Sequence, residues 1–382
     1  MQLPWPRICL AFSFTVSSVT VGRTRLAGPA ILMPSPSRAD LAALPKLDLH
    51  RHLEGALRLT TLRAIAQQHG LDLPADSLAA LRPYVQVVDG ERSFRQFLAK
   101  FDVLRRFYLS PEIIHRLAFE VIEDAARDNL HYLELRFTPA ALASSGRFSL
   151  ADVTDWVIAA VAEAGRVYPK LQVRLIVSVN RHEPVALAEQ VAQVAADRQA
   201  RGIAGLDLAG DEVNFPAAPF RGVFQAARQA GLGCVAHAGE WTGAAAVRDA
   251  IEHLGVRRVG HGVRVVEDPA AVALARERAI VFEVCLTSNL QSGVVAAFAA
   301  HALPRMNALG LRTTLNTDDP GVSGITLSDE YQIAVDALGL SWADLQQALF
   351  TAADASLLPP AERAALAARL RAALDRLDPV SE

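Results

Sequence analysis

Two histidines one residue apart, His50 and His52, open the chemistry of this sequence. In an extended strand, residues i and i+2 face the same side, so both imidazoles can converge on one point. A third histidine, His237, sits in the segment VAHAGE, with Glu240 three residues after it. A fourth, His261, lies between two glycines in GHG, and Asp318 and Asp319 close the run TTLNTDD. Taken singly these are weak signals. An H-x-H pair is more often surface or core histidine, and adjacent carboxylates often cap a helix or sit in a solvated turn. Taken together, His50, His52, His237 and Asp318 are a fitting ligand set for one Zn2+, which accepts imidazole nitrogen and carboxylate oxygen and keeps a position for water. Zinc lowers the pKa of such a water from 15.7 to about 7, so hydroxide is available at neutral pH. Glu240 is then the natural acid/base partner. His261 and Asp319 are left to orient the water and share its proton.

Stepping outward, eight β-like runs must position these residues. They are 46–52, 132–137, 173–179, 203–210, 233–239, 256–262, 279–288 and 312–319. Several are near-continuous apolar runs, as expected for parallel strands buried on both faces. Helix-like segments lie between them. One covers 111–129 with Ser110 as N-cap and Pro111 at the first helical position. Another follows Ser149, with Leu150, Val153 and Val157 at helical spacing. The long stretch 53–131 predicts extra helices after the first strand. Eight βα units indicate an α/β fold, a (β/α)8 TIM barrel, and its active site belongs at the C-terminal ends of the strands. The candidate residues gather at those ends.

Composition bounds the rest. The chain has 382 residues, is 51% hydrophobic and 6% aromatic, and carries a formal net charge of −3, so nothing in it reads as a nucleic-acid footprint. Lys46, Lys100 and Lys170 are the only lysines among 38 basic residues, which reads as a coding bias. Cys9, Cys234 and Cys285 are too few and too far apart for a disulfide framework or a cysteine metal knuckle. They predict free thiols in a reducing cytoplasm. Residues 8–20, ICLAFSFTVSSVT, resemble a poor signal-peptide core and are too short and too rich in Ser and Thr for a spanning helix. The chain from Met33 reads as an ordinary soluble start. The expectation is therefore an extension over residues 1–40, disordered or not translated, ahead of one catalytic domain over residues 41–382.

At this level of detail the chain resembles the adenosine deaminases, most closely the bacterial type of the adenosine/AMP deaminase family of metallo-dependent hydrolases. The resemblance runs from about Leu44 to beyond Ser356. It rests on LPKLDLHRHLEG, SFRQFLAKFD, DAARDNLHYLELRFTP, LDLAGDE, HAGE, GHG, CLTSN and NTDDPG, all in the family's order. It implies that His50, His52, His237 and Asp318 ligate zinc, and that Glu240 protonates the purine at N1 as hydroxide attacks C6. It implies that His261 holds the attacking water, and that Asp319 accepts a hydrogen bond from it and directs it at the ring. Gly210 would present backbone to N3, with His52 and Glu54 also lining the substrate. The product implied is inosine, with release of ammonia, from adenosine or 2′-deoxyadenosine in purine salvage. The partner is a small purine nucleoside, with no nucleic acid or membrane. The small cytidine-type zinc deaminases are excluded, since the P-C-x-x-C part of their signature is absent.

One departure bears on the substrate. The family usually carries Asp where this chain has Glu54, at the ribose 5′ hydroxyl, and Glu is common in relatives that act on free adenine. FLAKFD and ELRFTP read as the nucleoside type. Adenine and aminofutalosine, an adenosine with a bulky 5′ substituent, are the competing substrates. A two-metal amidohydrolase would carry a bridging Lys at the end of the fourth strand, and LDLAG has none. A catalytically silent relative would lack a ligand or the Glu, and all seven residues are present. Six other histidines (His69, His115, His131, His182, His253 and His301) are expected at surface or helix positions. Asp211 and Glu212 are expected to hold the loop by Gly210, and Trp241 to border the pocket or pack.

Overall fold

The computed structural model describes residues 36–377 except 89, 91 and 145–147. The apolar run 8–20 and Met33 lie outside the described residues. The first element among the described residues is Arg38–Ala43, a short helix whose Ser37 and Asp40 cap each other reciprocally.

Eight strands form one sheet in chain order: β1 (Lys46–His52), β2 (Leu130–Phe137), β3 (Gln172–Asn180), β4 (Ile203–Ala209), β5 (Gly233–Ala238), β6 (Arg258–His261), β7 (Val281–Val284) and β8 (Arg312–Leu315). Every neighbouring pair is parallel. The ring closes at a seam between β1 and the segment after β8. There His52 N donates to Asp318 O at 2.8 Å and Asp318 N to His50 O at 2.8 Å, and the Asn316 side chain accepts from Leu49 N at 2.9 Å. This is the (β/α)8 barrel expected, with helices Leu59–His69, Leu78–Val85, Phe94–Leu104 and Pro111–Arg127 inserted between β1 and β2.

Two expected strand ends are shorter. The run 279–288 is a strand only over β7. Leu286–Gln291 is a helix, because the buried Glu330 carboxylate accepts its first amides, Leu286 N at 2.6 Å and Thr287 N at 3.0 Å. Asp318 and Asp319 lie beyond β8, where Asp318 adopts φ 59°. The Ser110 and Ser149 caps form as expected, each accepting from the amide three residues on. Among the described residues no helix is long and apolar enough to cross a membrane, and Cys234 and Cys285 are buried free thiols.

Candidate active site

The C-terminal end of the barrel gathers the histidines. His50 Nε2 lies 3.1 Å from His237 Nε2 and 3.2 Å from Asp318 Oδ1. His52 Nε2 lies 3.2 Å from His237 Nε2 and 3.3 Å from Asp318 Oδ1. Ligands about 2.0–2.1 Å from a tetrahedral ion stand about 3.3 Å apart, so these separations are those of a closed N/O cage. His261 stands slightly back, its Nε2 3.7 Å from Asp318 Oδ2 and 3.6 Å from Glu240 Oε2. Donor atoms of His50, His237, His261 and Asp318 all fall within 4.8 Å of one another. His261 and Asp318 hold the left-handed conformation at φ 57° and 59°, uncommon for residues with a side chain and typical of functional positions.

Carboxylates behind the imidazoles set their tautomers. His50 Nδ1 faces Glu283 Oε2 at 2.8 Å and His237 Nδ1 faces Asp207 Oδ1 at 3.1 Å. Each Nδ1 therefore carries the proton and each Nε2 turns a lone pair inward. Lone pairs brought to 3.1 Å repel one another unless a cation lies among them, so the donor set fits a divalent metal. His261 is held by another chain. His301 Nε2 donates to Asn289 Oδ1 at 3.1 Å, and Asn289 Nδ2 to His261 Nδ1 at 3.1 Å. His261 Nε2 then carries the proton that faces Glu240.

Beneath the cage is a charged floor where most such barrels place branched aliphatics. Arg136 on β2 bonds Glu283 at 2.8 Å and Leu49 O at 2.7 Å, and lies 3.4 Å from Asp207. Arg258 on β6 bonds Glu283 at 2.6 Å and pairs with Glu134 at 2.6 Å. Tyr132 donates to Glu134 at 2.7 Å. All of these side chains are buried. Burial works against Glu283, yet Arg258 and Arg136 hold its carboxyl well below the usual range.

Glu240 is fixed through its backbone. The buried Glu212 carboxylate accepts the amides of Gly239, Glu240, Trp241 and Thr242 at 2.5, 3.1, 3.0 and 3.2 Å. Burial, with the Asp318 and Glu212 charges near, pushes the Glu240 carboxyl well above the usual range. Burial and Asp318 do the same to Asp319, while burial keeps His52 and His261 well below theirs, neutral. Two glycines make room. A Cβ on Gly55 would stand 1.7 Å from Asp319 Oδ1, and one on Gly260 2.7 Å from His50 Cε1.

All of the sequence-predicted residues except His50 line one cavity of about 220 Å3, and His50 lies behind its wall. Glu54 Oε1 accepts from Thr138 N at 2.6 Å while its Oε2 has no partner. Gly210 adopts φ 90°, which a side chain would strain. A Cβ there would meet only ordinary contacts, the nearest at 3.4 Å from His182 Nδ1.

His182 is exposed, as expected, and also lines the pocket, whereas His301 departs from expectation and is buried behind His261. Trp241 both borders the pocket and packs, its ring 5.4 Å from Phe94. Sequence reasoning passed over Asp207, Arg136, Asn180 and Asn289, and it left the direction of Glu283 open on strand register, which the structure resolves inward. For Asp207, Arg136 and Glu283 a signal existed, since a charge inside an apolar parallel strand needs a buried partner.

Comparison with known proteins agrees with this geometry. Residues 45–373 match the family model described as Adenosine deaminase. An adenosine deaminase of Klebsiella pneumoniae is 42% identical over 330 residues, 86% of this chain and 98% of that protein. Among solved structures, an amidohydrolase from Burkholderia ambifaria with bound Zn has a TM-score of 0.80 at 28% identity, covering 91% of this chain and 96% of that one. An adenine deaminase from Arthrobacter aurescens has a TM-score of 0.78 at 27% identity, covering 87% and 99%. This chain belongs to the adenosine deaminase family.

Proposed function

We propose that the protein is a zinc-dependent hydrolase that deaminates adenosine, and 2′-deoxyadenosine, to the inosine product and ammonia. The observation that carries this reading is one pocket lined by His52, His237, Asp318 and Glu240, with His50 completing the 3.1–3.3 Å imidazole–carboxylate cage from behind its wall. A zinc ion held by His50, His52, His237 and Asp318 supplies Lewis acidity that makes water a nucleophile at neutral pH. One ion suffices, because β4 ends in Leu206-Asp207-Leu208-Ala209 with no lysine to bridge a second.

The protein's own residues divide the remaining work. Glu240, carrying a proton, donates it to purine N1, which makes C6 electrophilic. Asp319 accepts a hydrogen bond from the attacking water and aims it at the ring face. His261, with its proton on Nε2, stabilises the charge that develops as C6 becomes tetrahedral. The backbone at Gly210 meets N3, and His52 and Glu54 complete the nucleoside wall. Protons returned through these groups let the exocyclic nitrogen leave as ammonia.

The wider reading is a catalytic barrel over residues 41–382 following an extension over residues 1–40, acting in the cytoplasm in purine salvage. The buried free thiols and the small-molecule pocket support it. A second reading, the same chemistry on adenine or on a 5′-extended nucleoside, is favoured by one feature, the unpartnered Glu54 Oε2 in the pocket wall.

Two measurements test the proposal. Glu240→Gln is expected to keep fold and one zinc while lowering kcat about 10²–10⁴-fold, read by ammonia release and metal analysis. Parent-like turnover would remove Glu240 from its role. A panel of adenosine, 2′-deoxyadenosine, adenine and aminofutalosine is expected to favour the nucleosides. Preference for adenine or aminofutalosine would move the protein to a neighbouring specificity with Glu54 as the reason.

A further inference from the structure

One buried polar group in this pocket has no task in the reaction above. Asn180 ends β3 at the same end of the barrel as the cage, is 6% exposed and lines the cavity shared by Glu54, Gly210 and Glu240. Its Nδ2 has no hydrogen-bond partner. Its Oδ1 lies 3.6 Å from where a Cβ on Gly210 would stand, so the amide sits beside Gly210. Its backbone is held in place. Asn180 pairs with Ala209 in the ladder, and Arg181 N donates to Ala209 O at 2.9 Å. An apolar side chain of this size would fill the space without desolvating an amide. A fixed amide in a pocket-lining residue whose N–H is buried without a partner is a group that a bound ligand can satisfy.

The strand order indicates which part of the ligand it meets. Around the ring, Glu240 follows β5, Gly210 follows β4, Asn180 ends β3, Thr138 follows β2 and Glu54 follows β1. Resting on the proposed function, a purine with N1 at Glu240 and N3 at Gly210 runs from β5 to β4. The next ring atoms in that direction are C4 and N9, and N9 carries the sugar. The sugar then lies over β3 and β2, its 5′ end toward Glu54. The edge of a nucleoside that displays N3 also displays the 2′ hydroxyl.

We infer that the Asn180 side-chain amide hydrogen-bonds the ribose 2′ hydroxyl and makes the pocket favour ribonucleosides over 2′-deoxyribonucleosides. A hydroxyl both donates and accepts, and an amide offers both complements. A 2′-deoxy substrate would leave that amide buried and unpaired, which is how a site rejects an analogue that lacks one hydroxyl.

The test compares the zinc-loaded parent with Asn180→Leu and Asn180→Ser on adenosine, 2′-deoxyadenosine and 3′-deoxyadenosine, by kcat/KM. The parent is expected to prefer adenosine over 2′-deoxyadenosine by about tenfold. In Asn180→Leu the ratio should collapse to about one through loss on adenosine alone, and 3′-deoxyadenosine, which keeps the 2′ hydroxyl, should fall in parallel. In Asn180→Ser, which keeps a hydrogen-bonding group, the ratio should be intermediate, and this carries the test if the leucine variant does not fold. The ratio is internal to each sample, so partial unfolding does not imitate the effect. An unmoved ratio, an equal loss on 2′-deoxyadenosine, or discrimination that tracks the 3′ hydroxyl would each overturn the inference. A parent active on adenosine with an unmoved ratio sinks this inference alone. A parent that deaminates no nucleoside sinks the proposed function beneath it.

Discussion

The floor of the barrel and the mouth of its pocket are built on opposite terms. In the floor, Arg136, Arg258, Glu134, Glu283 and Asp207 are fully enclosed, and each is paired with at least one other at 2.6–3.4 Å. At the mouth, His182 is exposed, Glu54 Oε2 and Asn180 Nδ2 lack protein partners, and the aromatic rings of Phe97 and Phe101 stand 6.1 Å apart. Enclosed charges tolerate one arrangement, so the floor fixes where the imidazoles stand. Unpaired polar groups await a partner, so the mouth selects what enters. Chemistry and specificity are carried by different layers and should fail separately.

Arg136→Met attacks the floor hardest. It takes one cationic partner from both Glu283 and Asp207, leaving Glu283 to Arg258 and His50 and Asp207 to His237, and breaking such a buried pair costs about 3–5 kcal/mol. The expected result in thermal unfolding is a large fall in Tm or loss of soluble protein. A Tm within a degree or two of the parent would show that the floor is not a structural layer.

Asp207→Asn is a gentler probe of the same layer. It keeps shape but removes the charge behind His237 Nδ1. Metal affinity, read with added zinc, is expected to fall about 10–100-fold with the fold intact, measured by competition with a chelator. Unchanged affinity would separate the floor from the cage.

His182→Ala probes the mouth. Stability should change by less than about 0.5 kcal/mol because the ring is exposed. KM for adenosine should rise a few-fold with kcat little changed, as when binding common to ground and transition states is removed. A matching loss of kcat would place His182 nearer the reacting atoms.

The smallest effect concerns Glu330, which caps the helix Leu286–Gln291. Burial pushes its carboxyl from the ordinary 4.5 up to about 7, opposed by the amides it accepts. Between those values the folded protein binds the proton and the unfolded chain does not. Stability from this group is thus full below about pH 4.5 and is lost as pH rises toward 7. Glu330→Gln has no such titration, so its stability relative to the parent should improve from pH 5 to pH 7.5 in denaturant melts. A difference flat with pH would mean that the amides keep Glu330 ionised throughout.

Much of this was legible in the sequence for a physical reason. His50, His52, His237, His261, Asp318 and Asp319 cluster at strand ends, where a barrel displays side chains into its active site. The eight strands announced themselves as apolar runs of the right spacing. The layer behind was harder to read. Glu283 lies within four strand residues, and period-two alternation alone does not say which face turns inward. Glu134 and Arg136, two apart within β2, carried a signal, because charges on one face of a buried strand require partners. Those partners lie on β6, β7 and β4, and only the closed ring brings them together. The helix at Leu286 was misread as strand because its cap, Glu330, lies 44 residues away.

The seam between β1 and the segment after β8 carries a further consequence. The residues whose backbones stitch it, His50, His52 and Asp318, are also the ones whose side chains form three corners of the cage. An ion gripped there would work as a rivet through both ends of the rolled sheet. Filling the site would then also fasten the hoop, and drawing the rivet would slacken the joint where the first and last staves meet.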